Sequence, residues 1–490
     1  MATTDGWQAT IGLEVHVQLA TESKLFCRCG TGFGVEPNTQ VCPICLGHPG
    51  VLPTVNEKAI ALATRLGLAL GCSIQSRSIF ARKNYLYADL PKGYQISQYE
   101  FPIAFGGQVA LDQFEPTRFV ALERIHIEED AGKLVHDVGG YTGVDYNRAG
   151  IPLVEVVTQP ILTSAEEAAG FMRALREIVR FLDVSDGNME QGSLRADANI
   201  SVRRVEEQTL GTKVEVKNLN SFKFTGDAID YEIHRQIALA QAGQRVVQET
   251  RLWDERFGQT RLMRSKESAS DYRYFPEPDL PPIVLSEAQI AHQQREIGDM
   301  PLDLRARWTG EWKVTPDDAG VLSTDPRLAS FYGQAVVLAG TECAQLVANW
   351  LLSELTGLAN DDRIAVWEGR VSAAQLALLV CRVAEGAITH AMGKKVLASL
   401  WREGGEVDQH IKEGGFAVLR DENTLINAAM AVLDAHPDAV ARFRGGHQKA
   451  LGFLVGKVMA ATRGQADPKS AHLIVQRLLS EEGSNRDHEK

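Results

Sequence analysis

The sequence predicts an α+β protein in which an antiparallel sheet comes first and helical regions follow. Three observations carry that reading. Short segments that alternate apolar and polar residues crowd the first 275 or so positions. Alanine- and leucine-rich stretches with a 3.6-residue period take over beyond about position 286. Between them, residues 276–282 (PEPDLPP) fit neither a helix interior nor a central strand, because proline lacks the N–H donor both require.

Taken in order, a first strand is expected over residues 10–19. It sets Ile11, Leu13, Val15, Val17 and Leu19 on one face and Thr10, Gly12, Glu14, His16 and Gln18 on the other. Residues 118–130 read as a second strand, with Phe119, Ala121, Ile125 and Ile127 opposite Arg124, His126 and Glu128. A helix is expected over 164–182, opened by Ser164 as N-cap with Glu167 completing a capping box. Further strands fall at 195–202, where Asp197 and Asn199 lie on the polar side, and at 212–217. Four strands with one polar face each predict a sheet whose open side is chemically loaded. Helices follow at 372–386 and 423–436, and the glycine pairs 404–405 and 414–415 predict a linker. The expected domains are 1–295, 296–410 and 411–490.

Composition narrows the class. The 490 residues are 44% hydrophobic and 23% charged, enough to bury sizeable cores. A net charge of -12 argues against a protein that coats nucleic acid non-specifically, while leaving room for a local basic patch. Such a patch lies at 442–477, where Arg442, Arg444, Lys449, Lys457, Arg463, Lys469 and Arg477 face the single acid Asp467. No run approaches the ~18 apolar residues of a membrane span, and the start shows no secretory pattern. A cytoplasmic protein is predicted.

Cys27, Cys29, Cys42 and Cys45 form two close pairs, the spacing of a closed structural zinc site. Four unrelated buried thiols are the alternative. Cys72, Cys343 and Cys381 read as core residues. Glu14 and His16 share a strand face, Glu128-Glu129-Asp130 ends another strand, and Glu155 lies in a third alternating segment. Carboxylates with one histidine suit magnesium or manganese, and serve equally as a solvated polar sheet face. Lys83, Tyr85, Tyr87 and Lys92 are read as a phosphate and nucleotide-end contact or as an aromatic-anchored loop. No P-loop, dinucleotide loop or G-x-S-x-G elbow is present, so the chain carries no evident nucleophile.

These segments, in order, bring a resemblance. IGLEVHVQL, the four-Cys loop with LGHPGVLPTVN, RKNYLYADLPKGYQISQ, IHIEEDAGK, GIPLVEVV, GSLRADANIS, EVKNLNSF and DYRYFPEPDLPP closely resemble the B subunits of bacterial aspartyl/glutamyl-tRNA(Asn/Gln) amidotransferases. The resemblance covers essentially the whole chain. Ala88 and Ala196 depart from it, standing where a proline and a cysteine are expected. It implies a cradle-shaped catalytic sheet similar to that of glutamine synthetase and a helical tail that binds tRNA. It further implies ATP-dependent phosphorylation of the side-chain carboxylate of Glu-tRNA(Gln) or Asp-tRNA(Asn), followed by amide formation with ammonia from a partner. Implied partners are an amidase A subunit, a small C subunit, the misacylated tRNA and a non-discriminating aminoacyl-tRNA synthetase. Implied cofactors are ATP, Mg2+ or Mn2+, and Zn2+. On this basis Glu14, His16, Glu128, Glu129 and Glu155 are expected at magnesium. Lys83 and Lys92 are expected at phosphate or on an ammonia path, with Asp197 and Asn199 as companions. A zinc-stabilised tRNA-binding module without catalysis is the competing reading.

Overall fold

The computed structural model describes residues 3–4, 6–265, 272–416, 422–462 and 465–484, and divides into two compact units, 1–302 and 303–490. The first unit is built on strands β1 (Trp7–Gln18), β2 (Phe80–Asn84), β3 (Tyr94–Gln98), β4 (Arg118–Glu129), β5 (Pro152–Thr158), β6 (Leu194–Arg204), β7 (Val214–Leu219), β8 (Glu249–Asp254) and β9 (Gln259–Ser265). Its main sheet has eleven strands and runs β9-β8-β7-β6-β1-β5-β4 before ending in the two-residue strands Ala104–Phe105 and Ser73–Ile74. Most joints are antiparallel, as expected, but β7 and β8 pair in parallel. Helix α3 (Phe222–Gln241) makes the crossover that a parallel joint requires.

One face of this sheet is dry. Ile11, Leu13, Val15 and Val17 of β1 are fully buried with Ile125, Ile127, Val154, Val156, Ala198 and Val216. They pack on helices α1 (Glu57–Ala69), α2 (Ala165–Phe181) and α3 through Leu62, Leu66, Phe171, Leu175 and Ile229. At ~1.5–3 kcal/mol per large apolar side chain, this burial is the main force holding the sheet against its helices. The opposite face keeps the polar residues together.

Two local expectations need correction. In the first half of β4 the buried residues are Val120 and Leu122, while Phe119 is 51% exposed. The register between β4 and β5 shifts at Val157/Thr158, and this bulge moves the first half of the strand onto the other parity. Before α2, Ser164 does accept from the Glu167 N–H at 3.1 Å, but Glu167 returns its carboxylate to the Thr163 N–H at 2.7 Å and not to Ser164. Residues 276–282 stay with the first unit: Phe275–Pro276 pairs with β2, and Ile283–Val284 pairs with Arg77–Ser78.

The second unit is built of helices. Ala373–Ala384 opens with a full capping box between Ser372 and Gln375. The segment between the two glycine pairs is not a plain linker, because it forms helix Val407–Glu413, held by a bidentate Arg382–Asp408 pair at 2.8 Å. Cys343 and Cys381 are only half-buried, whereas Cys72 is buried and donates to the Gly106 carbonyl at 3.0 Å. Helices Glu422–Ala435, Pro437–Arg444, Lys449–Ala461 and Pro468–Ser484 share a separate apolar cluster that includes Leu425, Leu454, Val458 and Val475.

Candidate active site

Register places the polar residues of β1, β4, β5 and β6 in rows. His16 stands opposite Glu155 on β5 and opposite Arg195 on β6, and Glu155 stands opposite His126 on β4. Glu128 follows His126 two residues later on the same face. The side chains converge: His16 Nε2 lies 3.3 Å from Glu128 and 3.4 Å from Glu155, while His126 Nε2 lies 3.7 Å and 3.2 Å from the same two carboxylates. Ser97 Oγ donates to Glu128 at 3.3 Å. Burial opposes charge on both imidazoles, but the two carboxylates prevail and push His16 up to about 10 and His126 up to about 9. The histidines in turn hold Glu128 and Glu155 well below the usual carboxylate range despite the burial of both.

Lys83, on β2, faces this cluster. Burial works against its ammonium, yet Glu128, Tyr274 and Glu155 hold it above its ordinary value. Its Nζ is 5.1 Å from the Tyr272 ring and 6.0 Å from the Tyr85 ring. Burial pushes the Tyr85 phenol up to about 12, so the ring is neutral and acts as a wall.

A second acidic group adjoins the first. Glu14 is opposite Asp197, and Asn199 is opposite Glu215. One oxygen each from Glu14, Asp197 and Glu215 lies within 4.8 Å of the others. Lys217 pairs with Asp197 and sits 3.0 Å from Glu215, and Asn199 Nδ2 donates to Glu14 at 2.9 Å. Burial and then Glu155, Asp197 and Glu215 raise the Glu14 carboxyl above its ordinary value. Three carboxylates sharing one ammonium carry excess negative charge, and their hard oxygens suit a divalent cation.

Glu129 is not part of either group. Adjacent strand residues point to opposite sides, so Glu128 faces the histidines and Glu129 faces away. It pairs with Lys92 and accepts from the Ile96 N–H at 2.8 Å. This pair lines a cavity of about 210 Å³ together with Lys24, Cys45, Gly47 and Tyr94. Cys27 also lines it, and together with Cys29, Cys42 and Cys45 it brings four sulfurs within 4.8 Å of one another, with Cys42 and Cys45 at 3.9 Å. In a tetrahedral zinc–thiolate site the sulfurs stand roughly 3.8 Å apart, so the four residues fit that ion. The Cys45 thiol is drawn down to about 4, chiefly by a hydrogen bond with Cys27, helped by the Cys42 N–H and the Lys24 ammonium.

Three members of these groups, His126, Glu215 and Lys217, sit on the polar face that alternation predicts, yet alternation alone does not single them out. His126 is the readable one, two positions before Glu128. Lys24 gives no signal, because a lone lysine beside a cysteine loop reads as surface.

Residues 9–291 match the GatB/GatE catalytic domain and residues 332–479 match the GatB domain. The chain belongs to the family of amidotransferase B subunits. It is 46% identical to the B subunit of the aspartyl/glutamyl-tRNA(Asn/Gln) amidotransferase of Thermodesulfovibrio yellowstonii, across 97% of this chain and 100% of the relative. The corresponding B subunit of Anaeromyxobacter dehalogenans is 47% identical, covering 97% and 99%, and that of Burkholderia cenocepacia is 46% identical, covering 96% and 99%. The stretch that matches the catalytic domain of these B subunits contains both acidic groups, Lys83 and the cysteine loop. Among the described residues no helix is long and apolar enough to cross a membrane.

Proposed function

We propose that this chain performs the amide-forming half of a tRNA-dependent amidotransferase. ATP phosphorylates the side-chain carboxylate of Glu-tRNA(Gln) or Asp-tRNA(Asn), and ammonia released by a partner glutaminase then displaces the phosphate. The observation that carries this reading is the convergence of His16, Glu128 and Glu155 beside the half-buried ammonium of Lys83. A carboxylate is a poor electrophile, so its oxygen must become a phosphate leaving group before ammonia can add. A divalent cation, when bound, stabilises the charge on the transferring phosphoryl oxygens.

His16, Glu128 and Glu155 are assigned as one magnesium or manganese set, with Glu14, Asp197 and Glu215 as a second acidic set and Asn199 orienting Glu14. Lys83 adds a fixed positive charge on the phosphoryl side, and Tyr85, Tyr272 and Tyr274 screen it from water. Glu129 and Lys92, paired away from these groups, are read as part of the route by which ammonia enters. The four cysteines hold zinc and supply no reacting position. The sheet is read as a glutamine-synthetase-like cradle, and residues 411–490 as the tRNA-binding tail. Partners are the amidase A subunit, the small C subunit, the misacylated tRNA and a non-discriminating synthetase.

The test is direct. In the assembled complex, His16→Ala or Glu14→Ala should abolish ATP-dependent amide formation on mischarged tRNA while glutamine hydrolysis by the partner stays measurable. A variant that keeps full amidation, or a complex that consumes no ATP with mischarged tRNA, would leave only the tRNA-binding reading.

A further inference from the structure

We infer that Lys24 is the charge-compensating residue of the four-cysteine centre, a role resting on the reading of those cysteines as zinc ligands. Lys24 is 1% exposed, next to the loop it serves. A buried ammonium is heavily unfavourable unless an anion balances it. Among the described residues, its Nζ lies 3.2 Å from the Tyr146 carbonyl oxygen and 3.7 Å from Cys45 Sγ, and no carboxylate pairs with it. The carbonyl is neutral. The sulfur cluster is therefore the anion that this position offers.

The charges match. A divalent zinc with four thiolates carries a net charge of about -2, which a half-buried loop must offset. Lys92, the other lysine on the cavity, is already taken by Glu129. Lys24 is also fixed where it is needed: its own N–H donates to the Cys29 carbonyl at 2.9 Å, so the residue that compensates the centre is pinned to the centre's loop. Its stem runs over Gly150, a left-handed glycine (φ +87°) where a Cβ would stand 3.5 Å from Lys24 Cδ. Partners just outside the ligand set commonly change metal affinity 10- to 100-fold.

The experiment uses full-length, zinc-loaded chain and follows zinc release to a chromophoric chelator. Lys24→Met, which keeps the stem and removes the charge, should release zinc roughly 10- to 100-fold more readily. Lys24→Arg, which keeps the charge, should stay near the unmodified chain. The same Lys24→Met change made on Cys45→His, where the ligands carry one negative charge less, should cost a much smaller factor. That background also serves if Lys24→Met alone gives no folded chain. Zinc held as tightly by Lys24→Met as by the unmodified chain, or equal losses in both backgrounds, would overturn the assignment. An unmodified chain without stoichiometric zinc would instead overturn the zinc reading beneath it.

Discussion

At the scale of single residues, strand parity decides the fate of neighbouring acids. Glu128 and Glu129 are one position apart, yet one meets two histidines and the other meets Lys92. The Lys92–Glu129 pair is nearly dry, with side chains 10% and 4% exposed. Removing one member strands a buried charge, at a cost of about 3–5 kcal/mol, whereas replacing both with apolar residues of similar volume is often close to neutral. Lys92→Met should therefore lower the melting temperature of the first unit far more than Lys92→Met combined with Glu129→Leu, as scanning calorimetry of the two variants would show. A double variant no better than the single one would mean that the cost does not come from a stranded Glu129 charge. The Glu14, His16, Asp197 and Asn199 face was legible in the sequence because β-strands have a period of two. The partnership of Glu129 was not, since it depends on β3 and the turn before it packing against the end of β4, a long-range event.

At the scale of elements, the cysteine loop and the Lys92 turn fit against each other. Gly47 has φ +68°, and a Cβ there would stand 2.5 Å from Lys92 Cγ and 3.0 Å from Lys92 Cα. The loop approaches that closely only because residue 47 has no side chain. Gly47→Ala is expected to lower both zinc content and melting temperature, measured by metal analysis and thermal unfolding. Unchanged values in both would mean that the loop yields freely at this point. Helix and strand periods foretold most of the elements that carry the site. They missed the shift in β4, where one extra residue exchanges the faces, and the helix between the glycine pairs, where seven residues suffice once Arg382 anchors Asp408. Bulges and short anchored helices are set by partners distant in sequence, which a local period does not see.

At the scale of the whole chain, the acidic first unit and the basic stretch of the second call for separate tests. Of the seven cations counted over 442–477, Arg463 lies outside the described residues, and Arg477 is paired with Glu422 at 2.9 Å. Asp467, the lone acid, accepts from Ser470 N–H and Oγ at 2.8 Å. The net positive sign of the stretch survives these pairings. If the tail grips phosphates, removal of residues 411–490 should raise KM for mischarged tRNA strongly and leave tRNA-independent glutaminase activity near normal. Affinity of the intact complex should also fall steeply with salt, as each neutralised phosphate releases counterions. Equal tRNA affinity with and without the tail, at matched salt, would reduce these helices to packing.

The placement of β1 has a consequence for biosynthesis. β1 lies in the middle of the sheet, between residues 152–158 and 194–204, which follow it by more than 130 positions. Translation at roughly 5–20 residues per second leaves its two hydrogen-bonding edges without both of these strands for about ten to forty seconds. The strand gains its full set of sheet partners only after residue 204 has left the exit tunnel. Nascent chains arrested before that point should be cut readily near their amino end by added protease, and chains arrested well after it should resist. Early resistance would mean that β1 finds shelter before its sheet exists.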